Sequence, residues 1–177
     1  YDSAYEAVVL AEGRRARLDK AIAAMATDSP WSAVVARLGC LRGTDTLTAF
    51  ALAVEIGDWE RFTGASIGAY PGLVPSESSS GQSRSQGPIT KTGSSPARRL
   101  LAEAAWHHRK RYRAGATIQA RRQRAPAAAR ARRHLGNQRL NQRWKTFIAR
   151  HKRPVVANVA IARELAGWCW SPATVPD

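Results

Sequence analysis

Six serines lie close together in one stretch rich in Gly, Pro and Ser, residues 70–91, which interrupts a chain that otherwise has a helical pattern. A serine hydroxyl on an exposed loop can attack a phosphodiester and become covalently linked to the phosphate. Such chemistry needs cations that stabilise the negative charge of the transition state. Long loops in a compact domain are usually either functional or disordered, and the residues alone leave both alternatives open. The serines are Ser76, Ser78, Ser79, Ser80, Ser83 and Ser85.

The charge of the chain is distributed unevenly and indicates an anionic partner. The 177 residues carry a net charge of +15. Residues 98–153 hold 18 Lys and Arg and a single acid, Glu103, whereas the remainder of the chain has a net charge of −2. Segregation of this kind most often marks nucleic-acid binding. Three hypotheses share it: a DNA recombination enzyme, a basic DNA- or RNA-binding module without chemistry, and a structural or ribosome-associated basic protein.

Other kinds of chemistry find little support in the residue types. Cys40 and Cys169 are far apart and fit no metal-ligand spacing, so we expect reduced thiols in a cytosolic protein. The carboxylates of Glu55, Asp58 and Glu60 do not converge at a metal-binding spacing, and zinc, Walker and nucleophile-elbow patterns are absent. We therefore expect no metal site and no cofactor in this chain. We also expect no membrane span, because no run of 18 apolar residues exists.

Residues 3–26 have the pattern of one amphipathic helix, in which seam positions follow alternating spacings of three and four and are apolar except for Arg15. Two interpretations remain open. The helix packs on its own domain, or it forms half of a helical hairpin or coiled coil that contacts a partner subunit. Ser29 is the expected N-cap of the next helix, and Pro30 is its expected first residue. The apolar seam consists of Ala4, Val8, Ala11, Leu18, Ile22 and Met25.

A glycine turn between two apolar helices is predicted in the first third of the chain. The turn runs from Gly39 to Gly43, Thr44 or Asp45 can cap the second helix, and Gly57 can end it. Helix, glycine turn and helix together resemble the helix-hairpin-helix element, in which backbone N–H groups hold a DNA phosphate. That hypothesis makes Gly43 and Thr44 nucleic-acid contacts, and the alternative is an ordinary turn.

Helices are also expected on both sides of the serine stretch, and no strand is predicted. A short helix at about 66–70 leads into the stretch, and a longer helix begins at Ser95 after it. Residues 117–133 are mostly Ala, Arg and Gln, for which a solvated, partly disordered linker and an ordered nucleic-acid contact both remain open. Two further helices with apolar sides, at 137–151 and 155–170, complete the chain.

The order of glycines, proline and cations around Ser80 resembles one family of bacterial insertion-sequence transposases. These proteins carry an N-terminal RuvC-like DEDD nuclease domain, are related to the Piv and MooV invertases, and are guided by a structured bridge RNA. The segments RLGCLRGTDTLTAFALAVEIGDWERF and KRPVVANVAIARELAGWCW are similar to other parts of the family's C-terminal domain, so the resemblance covers nearly the whole chain. Its central motif is Tyr70-x-Gly72-Leu73-x-Pro75, Ser80-Gly81, Gly87-x-Ile89-x-Lys91-x-Gly93, then Arg98 or Arg99 and Leu100.

The resemblance implies a DNA transposase domain in which Ser80 is the nucleophile. Gly81 would let DNA approach the backbone closely. The resemblance also implies that a nuclease domain with Mg²⁺-binding carboxylates belongs before residue 1. We therefore expect this chain to be a fragment that binds nucleic acid but does not recombine DNA alone. The expected DNA- or RNA-binding residues are Gly81, Arg84, Lys91, Arg98, Arg99, Arg109, Arg113, Gly43 and Thr44.

The expected fold is mainly α. A long N-terminal helix precedes a compact helical domain that carries a helix-hairpin-helix-like element and a long Ser- and Gly-rich catalytic loop. We assign residues 1–28 to the hairpin or coiled-coil helix, 29–115 to the transposase C-terminal domain, 116–136 to a basic linker and 137–177 to a helical extension. We expect a homo-oligomer, because strand exchange needs more than one nucleophile. The expected partners are DNA and a structured guide RNA, and the expected location is the bacterial cytoplasm, at the nucleoid.

Overall fold

The computed structural model describes residues 1–80 and 83–174, and it is mainly helical, as the sequence predicts. A long N-terminal helix leads into a helical domain that carries one antiparallel pair of strands. A single 3-10 turn, His107–Arg109, follows the fourth helix. The elements are α1 Asp2–Thr27, α2 Ser32–Leu38, α3 Thr46–Ile56, β1 Pro75–Ser80, β2 Ser83–Ile89, α4 Ser95–Trp106, α5 Ala116–Arg122, α6 Ala127–Ala149 and α7 Pro154–Ala173.

The helix α7 lies at the centre of the helical domain. It packs against α2, α4 and α6, and Ile161, Leu165 and Cys169 on it are fully buried. Each fully buried aliphatic side chain of this size stabilises the fold by about 1.5–3 kcal/mol. A buried amide adds a specific contact, since Nδ2 of Asn158 donates to the carbonyl of Ala102 on α4 at 2.8 Å. Within the described ranges, no helix is both long and apolar enough to cross a membrane.

Helices α5 and α6 occupy most of residues 116–136, where a solvated, partly disordered linker was one of the two expectations. The structure contradicts that expectation, because Ala129 and Arg133 on α6 are fully buried. Further along α6, the indole N–H of Trp144 donates to the carbonyl of Ala105 at 3.1 Å. This segment is therefore part of the folded domain. The domain boundaries assigned from the sequence stay predictions.

The N-terminal helix α1 is a largely exposed rod. Its 26 residues span about 39 Å at 1.5 Å per residue, and Ala26 is the one residue on it that is buried. The apolar seam is exposed, with half or more of the surface of Val8, Leu18 and Met25 accessible. The prediction of one long N-terminal helix is confirmed. Packing on its own domain does not cover the seam, and contact with a partner subunit stays a prediction.

Several local predictions can be checked against the helix ends. Asp45 caps α3, since its carboxylate accepts the N–H of Thr48 at 2.8 Å, and Gly57 ends that helix with a positive φ of 66°. Both predictions are confirmed. The predicted start of α2 at Pro30 is wrong, because the helix begins at Ser32 and the Ser29 hydroxyl accepts the N–H of Trp31 within the preceding turn.

The prediction of a short helix at 66–70 is also wrong. This segment forms consecutive turns, in which the N–H of Ile67 bonds to the carbonyl of Thr63 and the N–H of Gly72 bonds to the carbonyl of Ala69. Glycine has a high conformational freedom that disfavours helix propagation, and Gly68 and Gly72 interrupt the segment. The turns therefore lead directly into the first strand.

Candidate functional site

The serine stretch forms an antiparallel hairpin and not an irregular loop. Strands β1 and β2 pair from Pro75 and Ile89 at the base to Ser80 and Ser83 at the tip, with an irregularity near the base. The prediction that the chain has no strand is therefore wrong. The segment lacks the apolar alternation that ordinarily indicates a strand, because its side chains are polar and exposed.

Ser80 is the last residue of β1, and its side chain is exposed. Its hydroxyl lies 3.2 Å from the hydroxyl of Ser83. Two of the other serines are committed to contacts inside the hairpin: Ser76 donates to the carbonyl of Pro88 at 3.0 Å, and Ser79 donates to the carboxylate of Glu77 at 2.9 Å. Among the described residues, no imidazole, amine or carboxylate hydrogen-bonds Ser80. The Ser80 hydroxyl is therefore accessible at the tip of the hairpin.

The base of the hairpin is a crossing of two backbone segments. Gly72 has a φ of 67°, and a Cβ at this position would lie 2.2 Å from the carbonyl oxygen of Thr92. The N–H of Lys91 donates to the carbonyl of Gly72 at 3.1 Å, and Lys91 itself has a positive φ of 57°. Only glycine allows this approach without displacing the opposing backbone. Gly72 and Gly93, which both belong to the motif around Ser80, thus set the base from which the strands extend.

Arg98 fixes this crossing from the side of α4. Its Nη1 donates to the carbonyl of Pro71 at 2.8 Å and to the carbonyl of Lys91 at 3.0 Å. One guanidinium thus joins the segment that enters the hairpin to the segment that leaves it. The structure thus gives the guanidinium of Arg98 a positioning role within the chain, and its contact with nucleic acid stays a prediction.

Glu55 at the end of α3 holds the same region from the other side. Its carboxylate accepts the hydroxyl proton of Ser94 at 2.8 Å, and its backbone carbonyl accepts the hydroxyl proton of Tyr70 at 2.7 Å. Ser94 also caps α4, because its oxygen accepts the N–H of Ala97 at 3.1 Å. The hairpin is therefore attached to both α3 and α4 through side-chain hydrogen bonds.

Four of the other cations predicted to bind nucleic acid lie apart from the tip of the hairpin. Lys91 is exposed at the base, and Arg99 is exposed on α4, where it pairs with Glu103 at 3.8 Å. Arg109 and Arg113 are exposed after α4. The backbone of Arg84 pairs with that of Ser79 in the hairpin. Gly81, like the side chain of Arg84, lies outside the described residues.

The predicted glycine turn connects α2 and α3, but the hydroxyl of Thr44 already forms hydrogen bonds within it. Thr44 is fully buried, and its hydroxyl lies within hydrogen-bond distance of the carbonyls of Leu38 at 2.7 Å and Leu41 at 2.9 Å. Gly43 faces α4 so closely that a Cβ would lie 2.4 Å from the carbonyl oxygen of Ala104. Both predicted contact residues therefore serve the packing of the turn against the domain, and a phosphate role for the turn stays a prediction.

A basic segment, residues 107–113, is held in place by residues that sequence reasoning did not single out. Nδ2 of Asn141 donates to the carbonyls of His108 and Lys110, both at 2.9 Å. Nη1 of Arg42 donates to the carbonyls of Lys110 and Arg111, both at 2.9 Å. The segment carries four cations, of which Arg109 and Arg113 were predicted contacts. Because side chains of the domain bind the carbonyls of this segment, the backbone positions of its four cations are fixed relative to one another.

A groove of about 910 Å³ lies between β2 and helices α6 and α7. Arginines of both helices line it, and Arg132 lies with its guanidinium carbon 4.8 Å from the centre of the Trp168 ring. The one acid of its lining, Glu164, pairs with Arg143 at 2.8 Å and with Arg139 at 3.1 Å. The groove therefore presents excess positive charge next to the hairpin.

Both cysteines are free thiols in the core, which agrees with the expectation of reduced cysteines. Burial raises the pKa of Cys169 to about 12 and also raises the pKa of Cys40. Arg133 is buried with them, donates to the carbonyl of Leu38 at 3.1 Å, and has a pKa lowered to about 10 by its loss of hydration. Thiols that stay protonated at neutral pH are poor nucleophiles. Within the described ranges, no three His, Cys, Asp or Glu side chains come together to hold a metal ion.

Residues 35–123 match the family model described as "Transposase IS116/IS110/IS902 family". The chain belongs to this transposase family. The match begins in α2, contains the glycine turn, the serine hairpin and α4, and ends just after α5. The resemblance to insertion-sequence transposases is thus confirmed at the level of the family, and the hairpin with its base is part of the transposase domain.

The comparison with one related sequence extends over most of the chain. The chain is 39% identical over 146 residues to "Putative transposase y4qE" of Sinorhizobium fredii (strain NBRC 101917 / NGR234). The aligned region covers 81% of this chain and 37% of that relative. The transposase domain described here therefore spans a little over a third of the length of the relative.

Proposed function

We propose that this chain is the part of a bacterial DNA transposase that binds DNA and presents Ser80 to a phosphodiester. The observation that carries the proposal is the attachment of the hairpin. Ser80 lies at the end of a strand whose base is fixed by Gly72, Gly93 and Arg98. Membership of a transposase family and the basic groove beside β2 support the same function.

In the proposed reaction, Oγ of Ser80 attacks the phosphorus of a DNA phosphodiester. The Oγ–P bond forms while the bond between phosphorus and one deoxyribose oxygen breaks, and the hydroxyl proton leaves with the displaced oxygen. The energy of the phosphodiester is retained in the protein–DNA bond, so rejoining needs no ATP. Developing negative charge on the phosphate requires nearby cations, for which Lys91 and the arginines of the groove are available on this chain.

The resemblance assigns divalent metal to a nuclease domain before residue 1, and the described residues of this chain do not supply its ligands. Their His, Cys, Asp and Glu side chains form no cluster of three. We therefore propose that this domain provides the nucleophile and the nuclease domain provides the metal-binding carboxylates. On its own, the domain is expected to bind nucleic acid without exchanging DNA strands.

The proposal includes a guide RNA, which the family resemblance implies, and a homo-oligomer, because strand exchange needs more than one nucleophile. The 18 cations between residues 98 and 153 offer more positive charge than one short DNA contact needs. The exposed apolar seam of α1 offers a surface for a second copy of the chain. Strand exchange would then bring two hairpins to one pair of DNA ends.

A non-catalytic nucleic-acid-binding module is the second candidate, and one observation favours it. The Ser80 hydroxyl has Ser83 as its hydrogen-bond partner and no general base among the described residues. In that case, Ser80 would be one of several interchangeable exposed serines. Charge reversal at Arg99 and Arg109 would then abolish function, whereas substitution of Ser80 would not.

The two candidates are separated by substituting Ser80 in a full-length transposase that contains this domain. Donor and target DNA, guide RNA and Mg²⁺ are added, and covalent protein–DNA adducts are measured by denaturing electrophoresis. Ser80→Ala is expected to abolish the adduct while the affinity for DNA stays within about twofold of wild type. Ser79→Ala is the matched control and is expected to retain the adduct. Adduct formation by Ser80→Ala at the wild-type level would eliminate the catalytic proposal.

The isolated chain gives a second test. Its affinity for DNA is expected to fall steeply with salt, because each neutralised phosphate contributes about −0.9 to the slope of log K against log salt concentration. The same mixture of DNA, guide RNA and Mg²⁺ is expected to yield no adduct with this chain alone. An adduct formed by the isolated chain would contradict the need for a second domain.

A further inference from the structure

Three side chains from different segments meet next to the basic segment 107–113. Tyr112 belongs to that segment, Arg122 is the last residue of α5, and His134 lies on α6. Nη2 of Arg122 donates to the Tyr112 hydroxyl and lies 3.4 Å from Nδ1 of His134. The rings of Tyr112 and His134 have their centres 5.5 Å apart. We call these three residues the Tyr–Arg–His cluster.

The Tyr–Arg–His cluster has positive charge, and none of the described carboxylates acts as its counter-ion. In the described part of the chain, no carboxylate forms an ion pair with Arg122. The single acid of residues 98–153, Glu103, pairs with Arg99. Arg121, Arg130 and Arg133 lower the pKa of the same thiol, Cys40, as Arg122 does, so Arg122 lies in a positively charged region. Nε of Arg122 is buried without a hydrogen-bond partner among the described groups. The missing negative charge has to come from outside this part of the chain.

The hydrogen-bonding groups of the cluster suit a tetrahedral oxyanion. The Tyr112 oxygen accepts from Arg122, which leaves the phenolic proton free to be donated. Because Nδ1 of His134 faces the guanidinium, its ring proton is assigned to Nε2, which is a donor. Nη2 of Arg122 is engaged by Tyr112 and His134, and Nε is buried, so Nη1 is the guanidinium group left to donate to a phosphate oxygen. These three side chains therefore provide a guanidinium, a hydroxyl and an imidazole donor at one place.

The fold holds the cluster in position before any ligand arrives. Nη1 of Arg121 donates to the carbonyl of Thr44 at 2.6 Å, which attaches α5 to the glycine turn. Arg42 and Asn141 bind the carbonyls of residues 108–111, directly before Tyr112. A preorganised set of donors loses little conformational entropy on binding, so this arrangement favours a binding site over an incidental contact.

We propose that Tyr112, Arg122 and His134 form a binding site for one backbone phosphate of a nucleic acid. The inference rests on the proposed function, since it assumes that the basic face of the domain binds nucleic acid. It adds a specific site in which Arg122 is the main contact and Arg109, Lys110 and Arg113 lie on the same segment as Tyr112. The chemistry is that of a phosphodiester, which both DNA and RNA provide.

The test compares two substitutions that remove the same charge from neighbouring positions. Arg122→Gln and Arg124→Gln each lose one cation, but Arg124 is exposed and lies outside the cluster. Binding of fluorescein-labelled DNA and of RNA with the same sequence is measured by anisotropy over a range of salt concentrations. Arg122→Gln is expected to weaken binding by about 10- to 100-fold, the range for a lost hydrogen bond to a charged group. Arg124→Gln is expected to weaken binding by less than about fivefold, the factor that corresponds to a surface charge worth under 1 kcal/mol.

The outcomes separate the inference from the proposed function. Equal losses for both variants would overturn the phosphate site while leaving nucleic-acid binding intact. Wild-type binding that does not depend on salt would overturn both. Loss of affinity for DNA alone or for RNA alone supports the site and identifies the strand that occupies it. Melting temperatures of the variants are compared, so that a loss caused by unfolding is recognised.

A second measurement does not depend on the folding of an Arg122 variant. Inorganic phosphate is added to the full chain, and the imidazole signals of its four histidines are followed by NMR. The His134 signal, assigned with His134→Gln, is expected to move in a saturable manner, and Tyr112→Phe is expected to weaken this response. The signal of the exposed His151 serves as the reference. A His134 signal that moves no more than that of His151 would refute the site.

Discussion

Gly93 lies so close to Tyr70 that a Cβ on the glycine would be 1.9 Å from the tyrosine's carbonyl oxygen. The same carbonyl accepts the N–H of Ser94 at 3.2 Å, and Gly93 has a φ of 79°. A side chain at this position would therefore meet both backbone strain and a direct clash. This contact determines where the serine hairpin leaves the helical domain, and through it the position of Ser80.

Replacing Gly93 with alanine is expected to lower the free energy of unfolding by more than backbone strain alone. A non-glycine residue with positive φ costs about 1–2 kcal/mol, and displacement of the opposing backbone adds to that cost. Gly57→Ala is the matched control, because Gly57 has a φ of 66° but a Cβ there would meet nothing within 4 Å. Urea denaturation should give a loss for Gly93→Ala that exceeds that of Gly57→Ala by at least about 1 kcal/mol. Equal losses of stability in the two variants would contradict the close backbone contact between Gly93 and Tyr70.

Helix ends, which depend on residues close together in the sequence, could be predicted. The hairpin, which depends on contacts between backbone segments far apart in the sequence, could not. Asp45 and Gly57 act within one turn of α3, so their residue types were sufficient. The hairpin was missed because the crossing at Gly72 and Gly93, rather than an apolar face, fixes its base. A serine stretch of this composition would have the same sequence pattern if it were a disordered loop.

The arginines also show how far the sequence alone can predict the structure. The sequence indicates that Arg98 and Arg133 are cations but not which groups surround them. Arg98 binds two backbone carbonyls at the base of the hairpin, and Arg133 is fully buried beside the two cysteines. Their acceptors come from segments far away in the chain, such as Leu38 for Arg133. Counting charges in the sequence therefore locates the arginines but does not distinguish those bound inside the domain from those exposed on its surface.

Arg98 and Arg99 are adjacent and equally charged, yet their substitutions are expected to act differently. Arg98→Ala leaves the part-buried carbonyl of Pro71 without its donor, which costs about 1–3 kcal/mol, whereas water can replace the donor at the exposed carbonyl of Lys91. Arg99→Ala removes an exposed pair with Glu103 worth at most about 0.5 kcal/mol. Urea denaturation of both variants checks this. A similar stability loss in both would show that Arg98 does not hold the hairpin.

Stability is expected to fall in mild acid because of His108. Burial, assisted by the charge of Arg42, lowers the pKa of His108 to about 4, whereas the pKa in the unfolded chain is about 6.5. The unfolded state therefore takes up this proton first as the pH falls. The contribution of His108 is full above about pH 6.5 and is lost by about pH 4, with a total on the order of 3 kcal/mol.

Denaturation at a series of pH values tests the histidine contribution. His108→Phe is expected to reduce the loss of stability between pH 6.5 and pH 4, because no proton can then bind at this position. His107→Gln is the control, since His107 is adjacent but exposed, and it is expected to keep the wild-type profile. If His108→Phe and wild type lose the same stability over this range, the acid sensitivity has another origin.

Both cysteines are expected to resist alkylation in the folded protein. Burial raises the pKa of Cys169 to about 12 and that of Cys40 above its usual value, and only the thiolate reacts rapidly. Iodoacetamide at pH 8, followed by intact-mass measurement, should leave both unmodified in buffer and modify both in urea. Ser3→Cys places a thiol on the exposed start of α1 and should react quickly. Modification of Cys40 or Cys169 at the rate of that reference would contradict their burial.

The exposed seam of α1 leads to a prediction about assembly. If the seam binds a second copy, a charge within it has to be desolvated in the oligomer, which is unfavourable. Leu18→Asp is therefore expected to convert an oligomer into a monomer, as measured by sedimentation. Val9→Asp is the matched control, because Leu18 and Val9 are 53% and 48% exposed but lie on different faces of the helix. Both substitutions should leave the melting temperature of the helical domain unchanged, since neither side chain is buried in it. A monomeric wild-type chain, or an equal effect of the two substitutions, would show that the seam does not mediate assembly.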